Sequence, residues 1–174
     1  MNTDYILYLD MDGVLCNFDE GCELLPNGIH DYPCAGHNWW ANLEWMPHGK
    51  LIWKAAHLLF QNVNILSSRG VPNEYERIAK EIDAGKRAWV KKNLKPSLPD
   101  NKIYTTESSY RKVDFVDENA ILVDDTEDTI NDWIEAGGIG ILHNDDYYRG
   151  TILELIRRAR KPIKLSDLVK RPTP

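Results

Sequence analysis

Five short apolar runs punctuate the chain, at residues 5–9, 63–66, 102–104, 120–123 and 139–142. Each has the length of a strand, and most are continuous rather than alternating. Strands of a parallel sheet covered on both faces read this way. The stretches between them carry helical spacing. Residues 72–83 and 86–94 are expected as two helical pieces separated by Gly85. Residues 126–136 form a third candidate, stopped by Gly137-Gly138. Residues 147–160 form a fourth, with Ile152, Leu155, Ile156 and Ala159 along one side. Strands alternating with helices predict an α/β fold built on a doubly wound parallel sheet.

The connection between the first two runs is too long for a simple crossover. Its first part, about residues 17–50, is rich in Gly, Pro, His, Asn and Trp, and is expected as a small cap inserted after the first strand. The single domain is expected to span residues 1–162, with 163–174 as a flexible tail ending in Pro172-Thr173-Pro174.

Composition narrows the class. A chain of 174 residues is one domain's worth and buries a sizeable core. No run approaches the roughly 20 apolar residues that span a bilayer, and the N-terminus does not read as a signal peptide. A cytoplasmic protein is therefore expected, with no membrane partner. The net charge of −6 argues against a broad nucleic-acid surface. Basic residues cluster only near the end, at Arg157, Arg158, Arg160, Lys161, Lys164, Lys170 and Arg171, and read first as a solvated helix face. Three cysteines give no disulfide framework. Cys22, His30, Cys34 and His37 have a loosely zinc-like spacing that fits no tight pattern.

Candidate chemistry sits at the ends of the apolar runs. The first run leads into Asp10-Met11-Asp12-Gly13-Val14. Carboxylates two residues apart at a strand end point the same way, and Gly13 permits a sharp turn. The fourth run leads into Asp124-Asp125. Neighbouring parallel strands would gather these acids, and an all-oxygen donor set suits a hard cation such as Mg²⁺. The second run ends in Ser67-Ser68-Arg69-Gly70. A hydroxyl, main-chain amides and a guanidinium there are phosphate ligands. Lys86 and Lys112 are the two candidates for a lysine that offsets charge on a nucleophile and a phosphate. Trp39, Trp40 and Trp45, with Tyr32 and Trp53, have two readings. They are either a platform for a base or the core of the small cap.

Taken in order, these pieces resemble the haloacid dehalogenase (HAD) superfamily: a strand plus Asp-x-Asp-Gly-Val, a strand plus Ser, a lysine, and a strand plus Asp-Asp. The resemblance covers nearly the whole chain and implies a Rossmann-like sheet of the HAD type. It implies a phosphatase that works through an aspartyl-phosphate. Asp10 would be the nucleophile and Asp12 the general acid and base. Ser67, Ser68, Arg69 and a lysine would hold the phosphate, with Lys112 preferred over Lys86. Asp10, Asp124, Asp125 and the Asp12 carbonyl would hold Mg²⁺. Within the superfamily the chain is most similar to the 5'(3')-deoxyribonucleotidase group, through Lys86-Arg87-Ala88-Trp89-Val90 and the site of the cap insertion.

The expected function is a 5'-nucleotidase acting on small nucleoside monophosphates. The alternatives are a polynucleotide end phosphatase, another small-metabolite phosphatase and a receiver-type phospho-acceptor module. A receiver places its acceptor at a middle strand, whereas here the Asp-x-Asp lies on the first.

Overall fold

The computed structural model describes residues 2–159. The expected tail, the end of the domain at residue 162 and the basic residues from Arg160 onward lie outside the described residues. Five strands form one parallel sheet: β1 (Asn2–Leu9), β2 (Phe60–Ser68), β3 (Ile103–Thr106), β4 (Ala120–Asp124) and β5 (Ile139–Leu142). Their order is β3-β2-β1-β4-β5. From β1 the chain steps outward through β2 to β3, then returns to the other side of β1 for β4 and β5. The order thus reverses between β1 and β4, and such a switch point opens a crevice at the strand C-termini.

Alternation along β1 explains the two-sided winding. Leu7 and Leu9 enter the larger core. There they meet Ile52, Trp53 and Ala56 of α3 (Gly49–Leu59), Ile82, Trp89 and Val90 of α4 (Glu76–Asn93), and Leu155 of α6 (Tyr148–Ala159). Tyr8 enters a smaller core on the opposite face with Leu66, Leu122, Ile130 and Trp133. The last two come from α5 (Glu127–Glu135), which is followed by Gly137 at φ 100°. A doubly wound Rossmann-like sheet is what a strand with two buried faces requires.

Two boundaries differ from the sequence expectation. Residues 72–83 and 86–94 do not form two pieces, because α4 runs unbroken through Gly85. Glycine is there for contact, not for a break. A Cβ at Gly85 would lie 2.4 Å from Trp40 Cβ and 2.8 Å from the His37 carbonyl. The short helix α2 (Gly36–Ala41) therefore packs directly on the α4 backbone. The second strand also begins three residues before its apolar run, with Gln61 and Asn62 inside it.

The inserted segment begins and ends at adjacent points beyond the C-terminal end of β1. Cys16 bridges Trp45, and the Asn17 N–H donates to the Glu44 carbonyl at 2.8 Å. Between them lie α1 (Phe18–Glu23), a 3₁₀ segment (Gly28–Cys34) and α2. No helix among the described residues is long and apolar enough to cross a membrane.

Candidate active site

Strand register builds the site. Leu9 pairs with Val123, so Asp10 and Asp124, each the next residue, emerge side by side. Lys112 Nζ lies 2.8 Å from Asp10 Oδ2 and 2.6 Å from Asp124 Oδ2. The Met11 N–H donates to Asp10 Oδ1 at 2.7 Å, and the Thr126 N–H donates to Asp124 Oδ1 at 3.0 Å. Both oxygens of each carboxylate are thus engaged, which fixes their orientation. Lys112 comes from a 3₁₀ segment, Ser109–Phe115, and is almost wholly buried. Burial alone would lower its pKa, but the Asp10 and Asp124 carboxylates outweigh that and hold it above the usual lysine range.

Asp12 is held by a different set of groups. Its carboxylate faces the Lys86 ammonium and accepts the Cys16 thiol hydrogen at 3.3 Å. Lys86, 1% exposed in mid-α4, also donates to Ser67 Oγ at 2.8 Å and to the Ser68 carbonyl at 2.6 Å. All three of its protons are used, and Nζ lies 4.7 Å from the centre of the Trp40 ring. Burial pushes the Asp12 carboxyl above the ordinary aspartate range, opposed by Lys86. The turn that follows Asp12 and leads into the insertion needs Gly13, at φ 71°. A Cβ there would lie 2.1 Å from Asp125 Oδ2.

Oxygen atoms of Asp10, Asp124 and Asp125 lie within 4.8 Å of one another, and this is the cluster able to hold a cation among the described residues. Three carboxylates against the one ammonium of Lys112 leave two negative charges. Desolvation, then the Asp10 and Asp124 charges, push the Asp125 carboxyl up to about 7. A hard divalent cation fits this set, since it supplies the missing positive charge to oxygen donors. The Asp12 carboxylate is not in the cluster.

A cleft of 260 Å³ opens over these groups, lined in part by Asp10, Asp12, Ser68, Lys112 and Asp125. Ser67 is buried beneath its wall and bonded to Lys86. Ser68 Oγ accepts from the Gly70 N–H at 3.0 Å, leaving its hydroxyl hydrogen free to donate. The cleft also contains Phe18, Asp19, Ser109 and Thr126, which the sequence reading did not single out. Phe18 and Asp19 directly follow the Gly13 turn, and Ser109 shares the Lys112 segment, so proximity in sequence was the available signal.

Several candidate residues lie away from the cleft. Arg69 turns away from the cleft. Its Nη1 pairs with Asp83 at 3.1 Å, its Nη2 donates to Asn73, and it borders a separate hollow near Thr106 and Arg111. Trp39, Trp40 and Trp45 do not line the cleft. Trp40 is buried between Phe18 and Gly85, Trp39 packs edge-on to it, and Trp45 packs on Trp89 at 4.8 Å. A short insertion has little other apolar material for its own core, and these rings supply it. No three of Cys22, His30, Cys34 and His37 converge among the described residues.

No family model matches the chain, and no curated protein matches it. Solved structures do align with it. The HAD domain of the effector protein Lem4 from Legionella pneumophila aligns at 14% identity over 92% of this chain and 99% of that one, with a TM-score of 0.39. An inactive mutant of the same domain gives 14% identity over 90% and 96%, with a TM-score of 0.38. A hydrolase from Streptococcus pneumoniae gives 10% identity over 87% and 99%, with a TM-score of 0.43. All three TM-scores fall below 0.5, so the functional reading rests on the site and not on these likenesses.

Proposed function

We propose that the protein is a Mg²⁺-dependent phosphomonoesterase of the HAD type, working through an aspartyl-phosphate on Asp10. One observation carries this reading. Two aspartates two residues apart border one cleft, yet each has its own lysine: Lys112 at Asp10 and Lys86 at Asp12. A nucleophile and an acid with separate supports suit a two-step phosphoryl transfer.

In the first step an Asp10 carboxylate oxygen forms a bond to phosphorus as the ester P–O bond breaks. Protonated Asp12 gives its proton to the departing oxygen, which leaves as an alcohol. In the second step Asp12, now a carboxylate, takes a proton from water while that water attacks phosphorus. Asp10 and inorganic phosphate are released, and Asp12 is protonated again. Lys112, Ser68 and Ser109 bind phosphoryl oxygens, and Ser67 and Lys86 hold Asp12 and the end of β2 in place. Asp10, Asp124 and Asp125 would hold Mg²⁺, with the Asp12 carbonyl as the further ligand the resemblance implies. The ion would supply positive charge against the phosphoryl oxygens.

The substrate we assign is a small nucleoside monophosphate. The cleft has room for one phosphoryl group and a compact ester, and Phe18, stacked on Trp40 at 5.6 Å, is the aromatic ring at its wall. Release of phosphate from p-nitrophenyl phosphate and from nucleoside monophosphates, with and without Mg²⁺, tests the reading. Asp10→Asn abolishes turnover. Undiminished Mg²⁺-dependent turnover by that variant refutes it.

A further inference from the structure

Gly13, Phe18, Asp19 and Asp125 line two hollows, not one. Beyond them the catalytic cleft continues into a second hollow, also of 260 Å³, which reaches His143, Asn144 and Asp145 after β5. It contains polar groups held ready for a ligand. Asp145 is fixed by His48, whose main-chain N–H donates to Oδ1 at 3.2 Å and whose ring nitrogen lies 2.9 Å from Oδ2. The His48 ring is itself stacked on Tyr148 at 3.9 Å. A carboxylate has about four acceptor positions, so Asp145 keeps capacity for more donors. His143 is 2% exposed and its Nδ1 is bonded to Thr151 Oγ1 at 2.9 Å. Its Nε2 is buried with no partner, and the nearest carboxylate oxygen, Asp145 Oδ1, is 4.0 Å away, outside hydrogen-bond range. A buried ring nitrogen without a partner is unfavourable unless a ligand or water reaches it.

The charge of this hollow is one-sided. Asp19, Asp125 and Asp145 contribute carboxylates, and no lysine or arginine lines it among the described residues. We propose that this hollow is the leaving-group site, and that it takes a non-anionic group rich in hydrogen-bond donors, gripped by Asp145 and His143. The inference rests on the phosphatase reading above and deepens it. A hydroxyl or amine that reaches both Asp145 Oδ1 and His143 Nε2 satisfies the ring nitrogen and adds a bond to the carboxylate. A leaving group carrying a second phosphate or a carboxylate meets the Asp19 and Asp145 carboxylates with no lysine or arginine among the described lining residues to offset them, and is disfavoured. Sugar hydroxyls and an ammonium group share this chemistry.

The test compares kcat/KM of the Mg²⁺-loaded full chain on four substrates. These are p-nitrophenyl phosphate, a nucleoside 5'-monophosphate, a nucleoside 3',5'-bisphosphate and O-phosphoethanolamine. The monophosphate is expected to exceed the bisphosphate by about tenfold or more, since like charges brought together without a counterion are strongly disfavoured. Asp145→Asn and His143→Ala are each expected to lower about tenfold the ratio of the best donor-bearing substrate to p-nitrophenyl phosphate. Asp145→Asn is also expected to narrow the gap between mono- and bisphosphate. Whether the nucleotide or the phosphoethanolamine ratio falls further identifies hydroxyl or ammonium as the group held. Equal turnover of mono- and bisphosphate by the wild type overturns the inference even if neither variant folds. Unchanged ratios in folded variants overturn it as well. Wild-type protein that hydrolyses none of the four overturns the phosphatase reading, and the inference with it.

Discussion

Lys86→Met tests whether the buried lysine of α4 is the support of Asp12. The substitution keeps an unbranched side chain in the helix but removes a charge whose protons go to Asp12, Ser67 Oγ and the Ser68 carbonyl. Breaking a buried ion pair from one side typically destabilises by about 3–5 kcal/mol, because the partner is left charged and unpaired. Here the lower end applies, because the Asp12 side chain is 22% exposed and retains some hydration. For a chain of this size about 3 kcal/mol corresponds to a fall in Tm of roughly 6–12 °C. The pH dependence gives the sharper signature. Burial already raises the Asp12 pKa and Lys86 opposes the rise, so removing Lys86 raises it further. Protonation then relieves the orphaned charge in the variant more than in the wild type. The stability gap between them should therefore shrink as pH falls from about 8 towards 5 and widen as pH rises through the variant's Asp12 pKa. Urea unfolding of both proteins across that range, without metal, measures the gap. A gap below about 1 kcal/mol at pH 8, or one that grows on acidification, refutes Lys86 as the counter-charge of Asp12.

Three further outcomes are expected. Asp12→Asn should lose far more turnover on alkyl phosphates than on p-nitrophenyl phosphate, whose leaving group needs no proton; equal losses in kcat count against Asp12 as general acid. Gly13→Ala should destabilise by about 1–2 kcal/mol for the positive φ alone, and should weaken the Mg²⁺-induced rise in Tm by displacing Asp125, whose Oδ2 the new Cβ would meet; a variant with the wild-type Tm and Mg²⁺ response removes the packing argument. The Asp125 carboxyl, raised to about 7, favours its proton in the metal-free fold, so the stability it contributes is present in acid and lost as pH rises through about 7; Mg²⁺ should accordingly raise Tm more at pH 8 than at pH 6, and equal rises by calorimetry contradict it.

How much of this was legible in the sequence depends on the kind of signal. The sheet was legible because β1 and β4 are continuous apolar runs ending in acids, and two buried strand faces leave little choice of partner. The Asp10, Asp12, Asp124 grouping followed from strand ends alone. Gly85 misled, because a glycine inside a helical pattern reads as a break, and only the partner helix shows that close approach is the reason. The Trp residues and Arg69 were ambiguous for a related reason. Residue type says what a side chain offers, but not which way it points. Trp40 could stack a base equally well in principle, yet its neighbours Phe18 and Gly85 close over it. Arg69 follows Ser68 directly, yet Asp83 on α4 draws it away from the cleft. His143 and Asp145 gave no sequence signal, since they matter only through the hollow they line together with Asp125.

The two lysines show why the order of pieces along a chain does not by itself assign their roles. Both are buried, both lie between β2 and β4 in sequence, and both reach acids of the same short motif. Their difference comes from the elements that carry them. Lys86 rises from the middle of a long helix packed against the insertion, so its position is tied to Trp40 and to the end of β2. Lys112 comes from the short segment before β4 and reaches the cleft itself. A group that meets a phosphoryl oxygen must face the cleft, whereas one that holds an acid in place must be enclosed with it. By that criterion Lys112 faces the cleft, and Lys86 is enclosed with Asp12. The insertion thus borders the cleft directly through Phe18 and Asp19 and packs on the helix that carries Lys86, while none of its three tryptophans lines the cleft.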